Sequence, residues 1–223
     1  MRHLLLPALL FTAGSASAAL WTASDNVVNA IPDGSSSGLA RSLTINAGGQ
    51  AVTGVEVRLN ISATSGGSAF LGDLYVYLTN GTSLAVLANR PGRRAGAAGG
   101  YGDDQSFNVL FSVLGTADFH DYRLNTTGSN LLALTGPLTG TWQPDGRPAD
   151  PGSVLDTSPR NAGLGVFNGS IADGTWSLFA ADLSSGATHQ LNSWTLNITT
   201  IPEPATVTLA GAAALLGLRR RRR

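Results

Sequence analysis

The 223-residue chain contains no cysteine and no lysine. Without cysteine no disulfide can staple the fold, so stability has to come from a buried core. Without lysine all 14 basic residues are arginines, and they are matched by 14 acidic residues. Charged residues make up only 13% of the chain and aromatics 7%, leaving Gly, Ser, Thr and Asn to fill most polar positions. Hydrophobic runs long enough to span a bilayer are missing too. The two longest, Leu4 to Ala13 and Ala205 to Leu218, fall short of the about 20 apolar residues a spanning helix needs. Amphipathic segments with a helical period are equally scarce.

Both short runs sit at the ends. Arg2 and His3 precede Leu4 to Ala13, and Ala16-Ser17-Ala18 follows with the small-x-small form of a signal peptidase site. Residues 1–18 therefore read as a secretory signal cleaved after Ala18, with an uncleaved anchor as the alternative. At the other end, Ala205 to Leu218 is 14 residues, roughly 21 Å as a helix against a hydrocarbon core of about 30 Å. It is marginal as a permanent anchor, although Arg219 lengthens its reach by snorkelling. The cluster Arg219 to Arg223 stays cytoplasmic under the positive-inside tendency. A nucleic-acid-binding arm would account for the arginines but not for the apolar run before them.

Pro202-Glu203-Pro204, the apolar run and the terminal arginines occur in the order and place of a PEP-CTERM sorting signal, which residues 202–223 resemble. The resemblance implies a Gram-negative bacterium and recognition by an exosortase that cleaves near Pro202, Glu203 and Pro204. It also implies transient tethering at the inner membrane, then release to the cell surface or extracellular matrix. Without the two ends the body carries 8 arginines and 13 acids, a net charge of about −5. An acidic exported body has no electrostatic reason to bind nucleic acid.

The body, residues 20–201, is long enough for one domain with a sizeable core. Its patterning has a period of two. In Val55 to Ile61 apolar residues alternate with Glu56, Arg58 and Asn60, and Leu74, Val76 and Leu78 alternate with Tyr75 and Tyr77. Asn80-Gly81 then suits a tight hairpin turn through positive φ, with Leu84 to Leu87 as the returning strand. Trp176, Leu178 and Ala180 share one parity, and so do Trp194, Leu196 and Ile198. Many short strands punctuated by turns predict an all-β sandwich or jelly roll, with helix confined to the signal and the tail. Two stretches read as irregular: Arg90 to Asp104, with an exposed basic pair Arg93-Arg94, and Pro144 to Pro159, with four prolines. The second reads as a long loop in preference to an interdomain linker, because strand signals resume directly after it.

The body resembles the P domain, or Homo B domain, that accompanies subtilisin-like catalytic domains in proprotein convertases. The residues carrying the resemblance run from Ile31-Pro32-Asp33 through Gly72-Asp73-Leu74, Asn80-Gly81-Thr82, Phe119-His120-Asp121 and Gly140-Thr141-Trp142. They close with Phe167-Asn168-Gly169, Asp173-Gly174-Thr175-Trp176 and Leu191-Asn192-Ser193-Trp194. The resemblance implies a jelly-roll sandwich of eight or nine strands that assists or stabilises a protease and holds no nucleophile itself. Ser65 to Phe70 and the Pro144 to Pro159 loop depart from the family pattern.

The residues agree on the missing nucleophile. No serine lies in a Gly-x-Ser-x-Gly elbow, and His120 and His189 read as surface loop histidines. A hard cation is the more credible chemistry, since calcium takes six to eight oxygen ligands. Candidate carboxylates are Asp73, Asp103, Asp104, Asp118, Asp121 and Asp182. Of these, Asp73 and Asp121 match acidic positions of the family, and turn-capping is the competing role for each. Tyr75, Tyr77, Tyr101 and Trp142 would make a sugar-stacking surface, with core packing as the competing fate. Three functions follow as expectations. The first is a surface or matrix module meeting exopolysaccharide or matrix protein; the others are an accessory to a subtilisin-like protease in trans and a carbohydrate-binding module.

Overall fold

The computed structural model describes residues 17–64 and 68–201. The segments that read as signal and sorting tail lie outside these, except Ser17 and Ala18. The described residues form two packed sheets, as the period-two patterning predicts. One sheet runs β1(Ala19–Asp25), β10(His189–Ile201), β4(Ala51–Ala63), β7(Phe107–Phe111), β8(Leu138–Trp142), with β2(Asn29–Ala30) also on β10. The other runs β3(Ser35–Ile45), β9(Gly174–Asp182), β5(Leu74–Thr79), β6(Leu84–Asn89). The described pairs are antiparallel apart from β7 and β8, which run parallel.

The inward parity of each strand supplies the core. Val55, Val57, Leu59 and Ile61 of β4 and Trp194, Leu196 and Ile198 of β10 belong to one cluster with Leu74, Val76 and Leu78 of β5 and Trp176, Leu178 and Ala180 of β9. Glu56, Arg58 and Asn60 take the opposite face, so the alternation in sequence is the section through the sandwich. Asn192 makes a bulge in β10 between Leu191 and Ser193. That extra residue keeps His189 and Leu191 pointing inward as well as Trp194, which a regular strand would not allow.

Several sequence signals have specific causes. Gly81 has φ 84, but Asn80 does not share the positive φ expected of it. Its side chain instead accepts hydrogen bonds from Thr82 N and Ser83 N, an Asx turn inside a four-residue loop. Asp173 accepts from the amides of Ala47, Gly48 and Gly49. That ties the β3–β4 turn to the start of β9, and Gly174 adopts φ 116 beside it. Asp33 likewise receives Gly186 N from the β9–β10 loop. A Cβ on Gly72 would lie 2.5 Å from Tyr101 N, so the Arg90 to Asp104 segment can lie against it only because glycine is there.

Helix occurs where none was expected. Tyr122–Thr127 forms a short α-helix, α1, preceded by a 3₁₀ turn at Phe119–Asp121 whose first turn is capped by Asp118 accepting from His120 N. Gly128 closes it with φ 77 and a bond to Leu124 O. The Gly128 cap, the capped 3₁₀ turn leading in and the burial of Tyr122 sustain a sequence of poor helix propensity. The Pro144 to Pro159 segment is a loop, as read, and it is firmly held. Asp145 N and Gly146 N donate to Leu87 O and Val86 O, and Val86 N donates to Ala162 O. The segment thereby covers the free edge of β6, which would otherwise offer unpaired backbone groups.

Candidate functional site

Both body histidines are fully buried, not surface residues as the sequence was read. Each has a carboxylate within hydrogen-bond distance, and the two pairs differ in what they can do.

His189 comes from β10 and Asp182 from the end of β9, so their contact spans the two sheets. Nδ1 of His189 lies 2.7 Å from Oδ2 of Asp182, and both side chains are 0% exposed. Asp182 Oδ1 accepts from Ser184 N. Nε2 of His189 has no hydrogen-bond partner among the described residues. This is the Asp–His half of a triad, with the imidazole held by a carboxylate. The nucleophile is missing: among the described residues no hydroxyl lies within hydrogen-bond reach of Nε2, and the ring is closed to solvent.

His120 sits in a larger polar cluster where three irregular segments meet. Its Nδ1 lies 2.7 Å from Asp145 Oδ2 and its Nε2 lies 2.9 Å from Arg93 O. A carbonyl oxygen only accepts, so Nε2 carries a proton. Asp145 is also bonded by Asn89 N at 3.0 Å and Arg147 Nη1 at 3.1 Å, which hold it as a carboxylate. Donation from Nδ1 to the same carboxylate makes this a setting that favours the doubly protonated ring. Burial alone would lower its pKa, but the hydrogen bond and charge of Asp145 and the Arg93 carbonyl outweigh it. The net displacement is upward from 6.5.

Arg147, 3% exposed, is the most buried guanidinium of this cluster. It meets Asp118 Oδ2 at 2.9 Å, Asp145 Oδ1 at 3.1 Å and Asp121 Oδ2 at 4.0 Å, and it donates to Asp156 O. Arg160 adds 3.4 Å to Asp118 and donates to Asp145 O. Asn89 Nδ2 donates to Arg147 O and Ala149 O. The result is a buried bolt joining β6, the Arg90 to Asp104 segment, the turn before α1 and the proline-rich loop. Arg93 and Arg94, read as exposed, are half-buried. Arg93 donates to Ala98 O and Gly152 O, and Arg94 donates to Gly92 O and stands 5.7 Å over the Tyr101 ring.

The carboxylates proposed for calcium do not gather around a free cation site; Asp118 and Asp121, which do approach each other, converge on Arg147. Asp73 faces Arg90 at 3.6 Å, and burial raises its pKa. Asp103 accepts from Arg123 Nε at 2.6 Å, Tyr122 OH at 2.7 Å and Leu134 N at 2.8 Å. Asp104 accepts from Ala69 N. Asp121, its pKa raised by burial, looks toward Arg147. Among the described residues no three His, Asp or Glu side chains gather as a metal cluster, and arginines balance the charge at three of the four positions. These residues do not fit a calcium shell, which needs converging oxygens without a competing cation.

The sugar-stacking quartet also separates. Tyr101 and Trp142 are 1% and 6% exposed and belong to the core. Tyr101 packs edge-on to Tyr122, and its hydroxyl pKa is pushed up to about 12 by burial. Tyr75 and Tyr77 stay half-exposed on the outer face of β5, where Tyr77 stacks on Phe179 at 4.8 Å.

The fold and site define an all-β, two-sheet sandwich whose buried polar residues bind its own loops. No protein-family model matches the sequence, and no curated protein is similar to it. Among solved structures, a chain from the complex of an Aeromonas sobria serine protease (ASP) with the chaperone ORF2 is similar in fold. Its TM-score is 0.45 and its identity 14%, over 83% of this chain and 27% of that one. A likeness at that level carries no functional argument.

Proposed function

We propose that the chain is an exported, non-catalytic β-sandwich module delivered to the cell surface or extracellular matrix, where it acts in surface or matrix contact. The observation that carries the non-catalytic half is the state of the titratable groups. Each histidine is locked against a carboxylate in a closed interior, and the buried acids are committed to arginines and backbone amides. Delivery rests on the sequence of the two ends. In support, β1 begins at Ala19, the residue after the small-x-small triplet ending at Ala18. Intact-mass measurement of the chain recovered from the cell exterior tests delivery. A species starting at Ala19 and ending near Pro202 to Pro204 is expected, and an untrimmed cytosolic chain would refute it.

The second reading is an accessory domain for a separately encoded subtilisin-like protease. It rests on the P-domain resemblance, whose residues have structural work here: Asp33, Asp173 and Gly174 fix turns, and His120 anchors the polar bolt. Affinity capture of the exported chain from its own culture fluid separates the readings, because recovery of a serine protease favours the accessory role. A carbohydrate-binding role loses two of its four aromatics to the core.

A further inference from the structure

The strand register brings the start of β1 and the end of β10 to one edge of the sandwich. Ala19 pairs with Thr200 and Leu20 with Thr199, while Ala51 pairs with Ile201 and bridges to Ile171. Leu20, Ile171 and Ile201 are 66%, 50% and 44% exposed there, beside the buried Val52, Ala172 and Thr200. Asp173, the nearest acid in sequence to Ile171, is turned onto the amides of Ala47, Gly48 and Gly49, so its charge is already engaged.

Only Pro202, Glu203 and Pro204 separate Ile201 from the apolar run that starts at Ala205. Four residue steps reach at most about 14 Å when fully extended, and the headgroup layer on one side of a bilayer takes up about 5–8 Å of that. With the tail run in hydrocarbon, Ile201 is held within about 10 Å of the lipid surface. The run is itself shorter than the hydrocarbon core, which draws this edge closer still. Ala19 lies beside Thr200, so an uncleaved signal run leaves from the same edge.

We propose that the edge presented by Leu20, Ile171 and Ile201 is a lipid-docking surface that seats on phospholipid headgroups while the tail is inserted. The proposal deepens the membrane-tethered stage of the delivery reading and rests on it. Geometry, more than apolar exposure, singles out this edge. Leu131, 83% exposed, lies toward the opposite end of the sandwich, in the segment leading to Leu138, which pairs with Phe107. No tail emerges there.

The cysteine-free chain makes the test clean. Leu20→Cys, Ile171→Cys and Leu131→Cys each create one exposed labelling site. The full chain, labelled with an environment-sensitive fluorophore, is reconstituted into vesicles of phosphatidylethanolamine and phosphatidylglycerol with or without nitroxide-bearing lipid. Flotation with the vesicles, with several-fold stronger quenching and a blue shift at positions 20 and 171 relative to 131, supports the proposal. Flotation with equal quenching at all three, or with quenching only at 131, overturns it and leaves tethering standing. Failure to float removes the tethering reading and the docking surface together.

Discussion

Replacing Asp145 with alanine tests the polar bolt where its energetics are sharpest. The carboxylate is fully buried and accepts from His120 Nδ1, Asn89 N, Arg147 N and Arg147 Nη1. Asp145→Ala leaves the His120 ring, wherever it is doubly protonated, beside a buried guanidinium with their shared counter-charge gone. Removing one partner of a buried ion pair costs about 3–5 kcal/mol. For a domain of this size that is a fall in Tm of roughly 6–20 °C, at about 2–4 °C per kcal/mol. The loss depends on pH. In the native chain His120 binds its proton more tightly folded than unfolded. Its stabilisation is therefore complete below about pH 6.5 and is lost as pH rises through the higher folded value. The variant lacks this term and can relieve itself only by deprotonating His120, so its deficit is greatest at mildly acidic pH and shrinks at alkaline pH. Urea unfolding followed by the fluorescence of buried Trp176 and Trp194 reads both effects. A deficit below about 1 kcal/mol, the level of an exposed pair, or one that does not vary with pH, would mean that Asp145 is not the counter-charge of a buried cluster.

Other substitutions probe separate joints. Gly115→Ala places a Cβ 2.2 Å from the Trp142 carbonyl carbon, backbone that cannot swing aside. It should cost about 1–3 kcal/mol by calorimetry, and a neutral result would mean the 112–115 turn is softer than described. Asp103→Ala strips the acceptor from Arg123, Tyr122 and Leu134 N. A loss of about 3–5 kcal/mol is expected, with earlier proteolysis around α1. Millimolar calcium should leave Tm unchanged, because a ligand stabilises a fold only by binding it; a clear rise would show a site that the arginine pairing does not anticipate.

The sandwich was legible because one buried face per strand writes itself into the sequence as alternation. Val55 to Ile61, Leu74 to Leu78, Trp176 to Ala180 and Trp194 to Ile198 all face as their parity predicts. The candidate site was not legible in the same way. His120 finds Asp145 across 25 residues and Arg93 across 27, and no local pattern encodes either contact. His189 was closer to readable, since it shares the inward parity of Leu191, but the bulge at Asn192 breaks its phase with Trp194. The proline count in 144–159 announced a loop and concealed that Asp145 and Arg147 are among its best-buried residues. In α1 the Gly128 cap and the burial of Tyr122 override propensity, and Asp118, a candidate ligand by sequence, caps the 3₁₀ turn before it. The common cause is that single polar residues gain their roles from distant partners, whereas apolar ones repeat.

On the proposed reading, the buried titratable side chains fasten the fold's own loops together. Nitrogen NMR of the two body histidine rings, across a pH titration, tests it most directly. His120 should hold its second ring proton to a higher pH than the ordinary value of about 6.5, because the Asp145 carboxylate and the Arg93 carbonyl outweigh its burial. Both rings, fully buried, should resist acylating reagents in solvent. A neutral His120 titrating near 6.5, or rapid modification of either ring in the folded chain, would contradict it.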